Sequence, residues 1–284
     1  MYAITGISGK VGGALARTLL AANQPVRAVV RDPAKARVWA DRGCEIALAS
    51  LEEPDSLAAA FANASGVFIL PPSNFDPADG FPEARTVIAA VMEAIVRAEP
   101  KKVVCLSTIG AQATQINLLT QRTLMEEALR TLPIPVALLR PAWFMENSRW
   151  DVVSAMDTGV MSSFLQPLDK PVPMVATTDV GRVAAELLLE KSAGTRVVEL
   201  EGPKRISPND VAATFGKFLG RPVRAQVVER AAWEALFRAG GAVNPFHRMR
   251  MLDGFNEGFI DFEHAAARIV KGTIHLESVL RTLI

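Results

Sequence analysis

The segment Thr5-Gly6-Ile7-Ser8-Gly9-Lys10-Val11-Gly12-Gly13 constrains this chain more than any other. It follows a short β-rich apolar run, Tyr2–Thr5, and opens a stretch of helical period, Val11–Ala22. A strand, a glycine turn and a helix in direct succession offer backbone N–H groups to an anion. Gly6 permits the tight turn, Gly9 lets a pyrophosphate approach the backbone, and Gly12 lets the helix pack close to the strand. Gly6, Ser8, Gly9, Lys10, Val11 and Gly12 are therefore expected to cradle the phosphates of a dinucleotide. The spacing is G-x-x-G-x-x-G where the common dinucleotide loop has G-x-G-x-x-G, and a ligand-free glycine turn is the alternative.

Further β-rich runs follow at Val26–Val30, Cys44–Leu48, Val67–Leu70, Val103–Ser107 and Val136–Leu139. Helix-period stretches separate them, at Ala34–Arg42, Pro54–Ala62, Glu83–Ala98 and Leu118–Leu132. Several runs lack polar alternation, as strands do when helices cover both faces of a parallel sheet. The predicted fold class is α/β: a doubly wound parallel sheet with a smaller, mostly helical C-terminal substrate lobe.

Beyond Arg140 the rhythm loosens. Trp143–Pro173 is rich in Met and aromatic residues, with a helix expected at Asn147–Asp157. Asp179 is expected to cap a helix over Val180–Glu190, since Asp is a good N-cap. Arg196–Leu200 and Val223–Val228 read as strands, and Pro208–Leu219, Ala231–Ala239 and Pro245–Phe259 as helices. No linker or repeat interrupts the chain. Residues 1–284 therefore read as one domain, with a dinucleotide-binding body (1–142 plus about 172–200) and a substrate lobe (about 143–171 and 201–284).

Composition removes several classes. Lys plus Arg is 31 and Asp plus Glu is 30, so bulk charge grips neither nucleic acid nor an anionic membrane. Half the residues are hydrophobic, too many for disorder. Cys44 and Cys105 are too far apart for a C-x-x-C pair, and His247, His264 and His275 leave no metal-ligand cluster, so no metal is expected. The uncharged run Ser56–Phe75 contains Asn63, Ser65, Gly66, Pro71 and Pro72, and reads as a helix end, a turn and a buried strand, not a membrane span. A strand starting at Tyr2 leaves no room for a signal peptide, and the expected location is the cytoplasm.

The second strand ends in Val29-Val30-Arg31-Asp32. This position meets the adenosine ribose, where an acidic residue selects NAD and an Arg pairs with the 2′-phosphate of NADP. Arg31, with Lys35 one helical turn on, points to NADP(H) over NAD(H). A solvated charge pair is the alternative, and Asp32 can either cap the next helix or reach the ribose.

The glycine loop, Val30–Lys35, the strand end Phe68–Pro72 and the run Leu139–Asn147 together resemble the NmrA-like family, as do Asp179–Ala185 and Leu200–Pro203. These are atypical short-chain dehydrogenases/reductases with an NAD(P)-binding Rossmann fold. The resemblance implies cofactor contacts from Leu70, Pro71, Ser107, Arg122, Pro141, Trp143 and Phe144. It implies an oxidoreductase passing hydride to an electron-poor acceptor such as a quinone or dye. The alternative is a non-catalytic NADP(H)-dependent redox sensor acting on a partner protein. Other catalytic members of the superfamily use a Tyr-x-x-x-Lys pair, the ammonium lowering the phenol pKa. This chain has one tyrosine, Tyr2, in its first strand. By register the Tyr position falls on Leu118 and the Lys position on Arg122. Arg cannot relay protons near neutrality, but it can bind ribose hydroxyls; pairing with Glu126 is its alternative role. Ser107 falls where the superfamily's catalytic serine sits, and is either that residue or a polar strand end beside the nicotinamide. Ser50 stands where the family places an acidic adenine contact. Phe75, Phe81, Trp143, Phe144, Met145, Trp150, Met156, Met161 and Phe164 are candidates for an apolar substrate pocket or for the core between lobes. Glu146 reads as a salt-bridge or helix-start residue.

Overall fold

A computed structural model describes residues 1–263 and 268–284; His264 lies outside them. The first half of the chain alternates strand and helix. Its elements are β1 (Tyr2–Thr5), α1 (Lys10–Ala21), β2 (Val26–Val30), α2 (Pro33–Ala40), β3 (Glu45–Leu48), α3 (Pro54–Phe61), β4 (Gly66–Ile69), α4 (Pro82–Ala98), β5 (Val103–Leu106), α5 (Thr120–Leu129) and β6 (Val136–Pro141). There follow β7 (Trp143–Phe144), α6 (Val152–Thr158), β8 (Val160–Ser163), β9 (Met174–Val175), α7 (Thr177–Leu189) and β10 (Thr195–Glu201). The chain closes with α8 (Pro208–Leu219), β11 (Arg224–Val227), α9 (Trp233–Ala239), α10 (Phe246–Glu257), β12 (Arg268–Lys271) and α11 (Leu276–Leu280).

Among the described residues eight strands form one sheet in the order β12-β10-β6-β5-β4-β1-β2-β3. All its pairings are parallel. Strand residues alternate between two buried faces. Ile4, Ala28, Phe68, Val104 and Leu139 belong to one core, and Ala3, Val29, Val67, Cys105 and Leu138 to the other. This accounts for the unbroken apolar runs in the sequence. Cys105 is fully buried, and burial pushes its thiol pKa up to about 12; the Cys44 thiol is raised for the same reason.

The strand order reverses between β1 and β4. At such a switch point the crevice beyond the strand ends is the natural ligand site. Thr5 stitches it: its hydroxyl donates to the Phe68 carbonyl at 3.0 Å and accepts from the Leu70 N–H at 2.8 Å.

Several sequence expectations change. Residues 145–151 form a 3₁₀ turn leading into α6, so the expected helix over Asn147–Asp157 starts late. Asp179 does not cap its helix. Helix α7 starts at Thr177, whose N–H is accepted by Glu146 at 2.9 and 3.0 Å. Asp179, buried in the first turn, instead accepts from the N–H groups of Thr273 and Ile274, each at 2.9 Å. It thereby ties the C-terminal segment to the body. Helix α5 starts at Thr120, leaving Leu118 in the turn before it. Strand β12 extends the sheet beyond β10, although position alone puts residues 268–271 in the lobe. Strands β8 and β11 pair in the lobe, and β7 pairs with β9.

Helix α1 lies against α7 at unusually close range. A Cβ on Gly181 would sit 2.5 Å from Ala14 Cβ and 2.6 Å from the Leu15 nitrogen, so only glycine fits this seam.

Candidate functional site

A cavity of about 700 Å³ runs from the glycine loop into the lobe. At the loop end, Gly6 takes φ +62°, and a Cβ on Gly12 would lie 2.4 Å from the Gly6 carbonyl oxygen. The turn therefore folds directly onto the start of α1. The first-turn amides of α1 have no intrahelical acceptor, and Gly9 and Lys10 are exposed beside them. This cradle fits the phosphates of a dinucleotide in both shape and donor chemistry.

Of the residues expected to hold the cofactor, Gly9, Lys10, Val11, Leu70, Pro71, Ser107, Arg122, Pro141, Trp143 and Phe144 line the cavity. Gly6 and Gly12 lie beneath the loop, and Ser8 is exposed on it. Arg31, Lys35 and Ser50 lie outside the cavity wall, beyond the ends of β2 and β3; Arg31 and Lys35 are exposed. Asp32 takes the capping role, accepting from the Ala34 N–H at 2.9 Å. Ser50 accepts from the Glu52 N–H at 3.4 Å, a local turn contact.

Arg122 does not pair with Glu126. Its guanidinium donates to the carbonyls of Pro71 (3.0 Å) and Pro72 (3.1 Å) and to Ser73 Oγ (3.2 Å). It clamps the loop after β4 onto α5, and burial lowers its pKa. Glu126 is instead buried against Arg140, which donates to both its oxygens at 2.8 and 2.7 Å. Ser107 donates to the same carboxylate at 2.5 Å. Arg140 also reaches Glu263 at 2.9 Å and Gln112 at 3.2 Å. The hydroxyl proton of Ser107 is thus committed, and its oxygen remains an acceptor at the cavity wall. No sequence pattern signals this network, because its bonded pairs lie 14 to 123 positions apart.

The lobe end is aromatic. Trp143 meets Phe255 edge-on at 5.2 Å, and Phe164 stacks on Phe237 at 5.1 Å. Phe75 and Trp150 line the cavity while staying half or more exposed. Phe81 and Met145 are core residues instead, and Met156 faces outward. Leu118 closes part of the wall where a phenol would be expected. Glu146 is a helix-start residue for a remote helix: besides the Thr177 N–H, its carboxylate accepts from the Thr177 hydroxyl. Asp151 lines the cavity, and burial raises its carboxyl pKa to about 6.

A model of the NmrA-like family matches residues 2–268. The chain belongs to the NmrA-like family. An NAD(P)H azoreductase from Xenophilus azovorans is 30% identical to this NmrA-like chain over 227 residues, 79% of this chain and 76% of the relative. Among solved structures, an NADPH-dependent quinone oxidoreductase from Escherichia coli complexed with NADPH superposes with a TM-score of 0.82 at 22% identity, covering 100% of both chains. A Citrobacter sp. triphenylmethane reductase complexed with NADP(H) gives 0.80 at 22% identity, covering 100% of this chain and 99% of the other. At these identities the two structures establish the shared fold. Among the described residues no helix is long and apolar enough to cross a membrane.

Proposed function

We propose that this chain is an NADP(H)-binding oxidoreductase that reduces an electron-poor aromatic acceptor such as a quinone or dye. The observation that carries the reading is one continuous cavity with backbone donors at the glycine loop and aromatic walls at the other end. The reductase names of the NmrA-like relatives support it over the sensor alternative.

In this reading the body, 1–142 plus about 172–200 with the added edge strand β12, holds the cofactor, and the lobe, about 143–171 and the rest of 201–284, holds the acceptor. Gly9, Lys10 and Val11 bind the phosphates, and Arg31 and Lys35 bind the 2′-phosphate, favouring NADP(H). Leu70, Pro71, Ser107, Pro141, Trp143 and Phe144 position the nicotinamide end. Bound NADPH supplies the hydride. The protein's own part is binding, orientation and exclusion of water. Two polar side chains of the cavity wall have their hydrogen bonds committed: Ser107 to Glu126, and Glu146 to Thr177. Leu118 cannot donate a proton. A positioned general acid contributes about 10²–10⁴-fold, so acceptors that leave a stabilised anion suit the site and ketones do not.

The test is NADPH consumption by purified protein against a panel of quinones and azo dyes. Turnover with several of them is expected, and secondary alcohols should give none that is measurable. Absence of turnover across the panel, with NADPH bound, would favour the sensor. Robust alcohol dehydrogenation would mean that the site contains a positioned proton donor.

A further inference from the structure

Helix α10 turns Arg248, Met251, Leu252 and Phe255 onto the cavity wall. Their spacing, i, i+3, i+4 and i+7, is that of an apolar stripe facing a core. Arg248 therefore occupies a position where this pattern places an apolar side chain. Its guanidinium lies over the Phe237 ring, 4.4 Å from the centroid. Phe237 in turn stacks on Phe164, which lines the cavity.

Three other arginines of the lobe are paired with carboxylates, whereas Arg149, which also lines the cavity, is exposed to solvent. Arg230 and Arg250 share Asp253 at 2.6 and 3.0 Å, and Arg205 holds Asp261 at 2.8 Å. Among the described residues Arg248 has no such partner. Burial lowers its pKa, and no acidic group acts to raise it. Asp151 faces the same cavity, yet burial alone acts on its carboxyl, so the two are not a pair. A half-buried cation without a counter-ion is unfavourable unless a ligand supplies one. Stacked on a ring, a guanidinium keeps its donor edge free, and that edge matches a carboxylate or sulfonate.

We propose that the acceptor is an aromatic anion, a quinone or dye carrying a sulfonate or carboxylate, and that Arg248 selects it. The word acceptor rests on the oxidoreductase reading; the anion site does not. The experiment compares 1,4-naphthoquinone-2-sulfonate with 1,4-naphthoquinone in wild-type protein, Arg248→Met and Arg248→Lys. The wild-type ratio of kcat/KM, sulfonate over neutral, should fall about tenfold or more in Arg248→Met and less in Arg248→Lys. Calorimetry on the NADP-loaded proteins should show the sulfonate binding about tenfold more weakly to Arg248→Met. NADPH affinity in both variants should match wild type, which also reports an intact fold.

An unchanged ratio in Arg248→Met overturns the proposal. So does an equal loss of NADPH affinity, which would assign Arg248 to the cofactor, and so does tighter wild-type binding of a cationic triphenylmethane dye than of the sulfonate. If no acceptor consumes NADPH, the oxidoreductase reading fails, while Arg248-dependent sulfonate binding still decides the anion site.

Discussion

In the proposed reading the groups at the glycine-loop end of the cavity are backbone amides, set by Gly6 at φ +62° and by Gly12, where a Cβ would strike the Gly6 carbonyl. At the lobe end they are side chains, brought together from residues 143, 164, 248 and 255. A backbone site tolerates no added atom but needs no particular side chain. A side-chain site can be retuned one residue at a time with the fold intact. The two ends should therefore respond to mutation in opposite ways: loss of binding at one, altered choice of ligand at the other.

The largest effect is expected at Gly12. A side chain there meets the Gly6 carbonyl, so the turn must move. Gly12→Val should weaken NADPH binding by more than about 100-fold and lower stability by roughly 1–3 kcal/mol. Calorimetry giving a Kd within threefold of wild type would mean that the loop end is not built from the backbone.

Next comes Arg31, the side chain proposed to bind the 2′-phosphate. Arg31→Asp should remove most of an NADP(H) over NAD(H) preference of about ten- to a hundredfold, as expected for a charge-assisted bond worth roughly 1.5–3 kcal/mol. Equal affinities for the two cofactors in wild type would sink the idea before any mutation is made.

Arg122 sits between the two ends. Since it clamps Pro71 and Pro72, its removal should loosen the wall beside the cofactor. Arg122→Ala should raise the NADPH Kd about tenfold and leave saturated turnover little changed, as expected for uniform binding. A large fall in saturated turnover with affinity intact would make it catalytic.

The smallest effect belongs to Asp151 in the lobe. Its folded pKa, about 6, lies above the usual 3.8 because burial penalises the charge. The folded state thus holds its proton more tightly than the unfolded chain. The penalty is complete above pH 6 and is relieved as pH falls toward 4. Asp151→Asn should therefore stabilise the protein above pH 6, by on the order of 1 kcal/mol after solvent screening, with no gain near pH 4. Thermal melts at pH 7.5 and pH 4 that shift equally would contradict this origin.

The contrast also explains what the sequence disclosed. The strands β1, β2, β4, β5 and β6 were legible because both faces are buried, and the glycine loop because its conformation demands glycine. Strand β12, Arg-Ile-Val-Lys at a sheet edge and mostly exposed, lacks that signature. Gly181 gave no hint of its role, since nothing in one sequence says which helix will press against it. The Ser107–Glu126–Arg140 network was hidden because charges far apart in sequence meet only after folding. Asp179 departs from its expected role for a related reason. Local pattern makes an Asp before Val180 a cap, and tertiary structure gave that task to Glu146 and turned Asp179 toward residues 273 and 274.

Quinones and similar electron-poor molecules are electrophiles that arylate proteins, and thiolates are their first targets. This chain has two cysteines, Cys44 and Cys105, both buried. The Cys105 thiol, pushed up to about 12, stays protonated throughout the physiological range, and the Cys44 thiol is raised in the same direction. An alkylating acceptor in the cavity, as proposed, therefore meets no cysteine thiol. Both thiols are buried in the fold, which makes quinone labelling at Cys44 or Cys105 a reporter of loss of the native state.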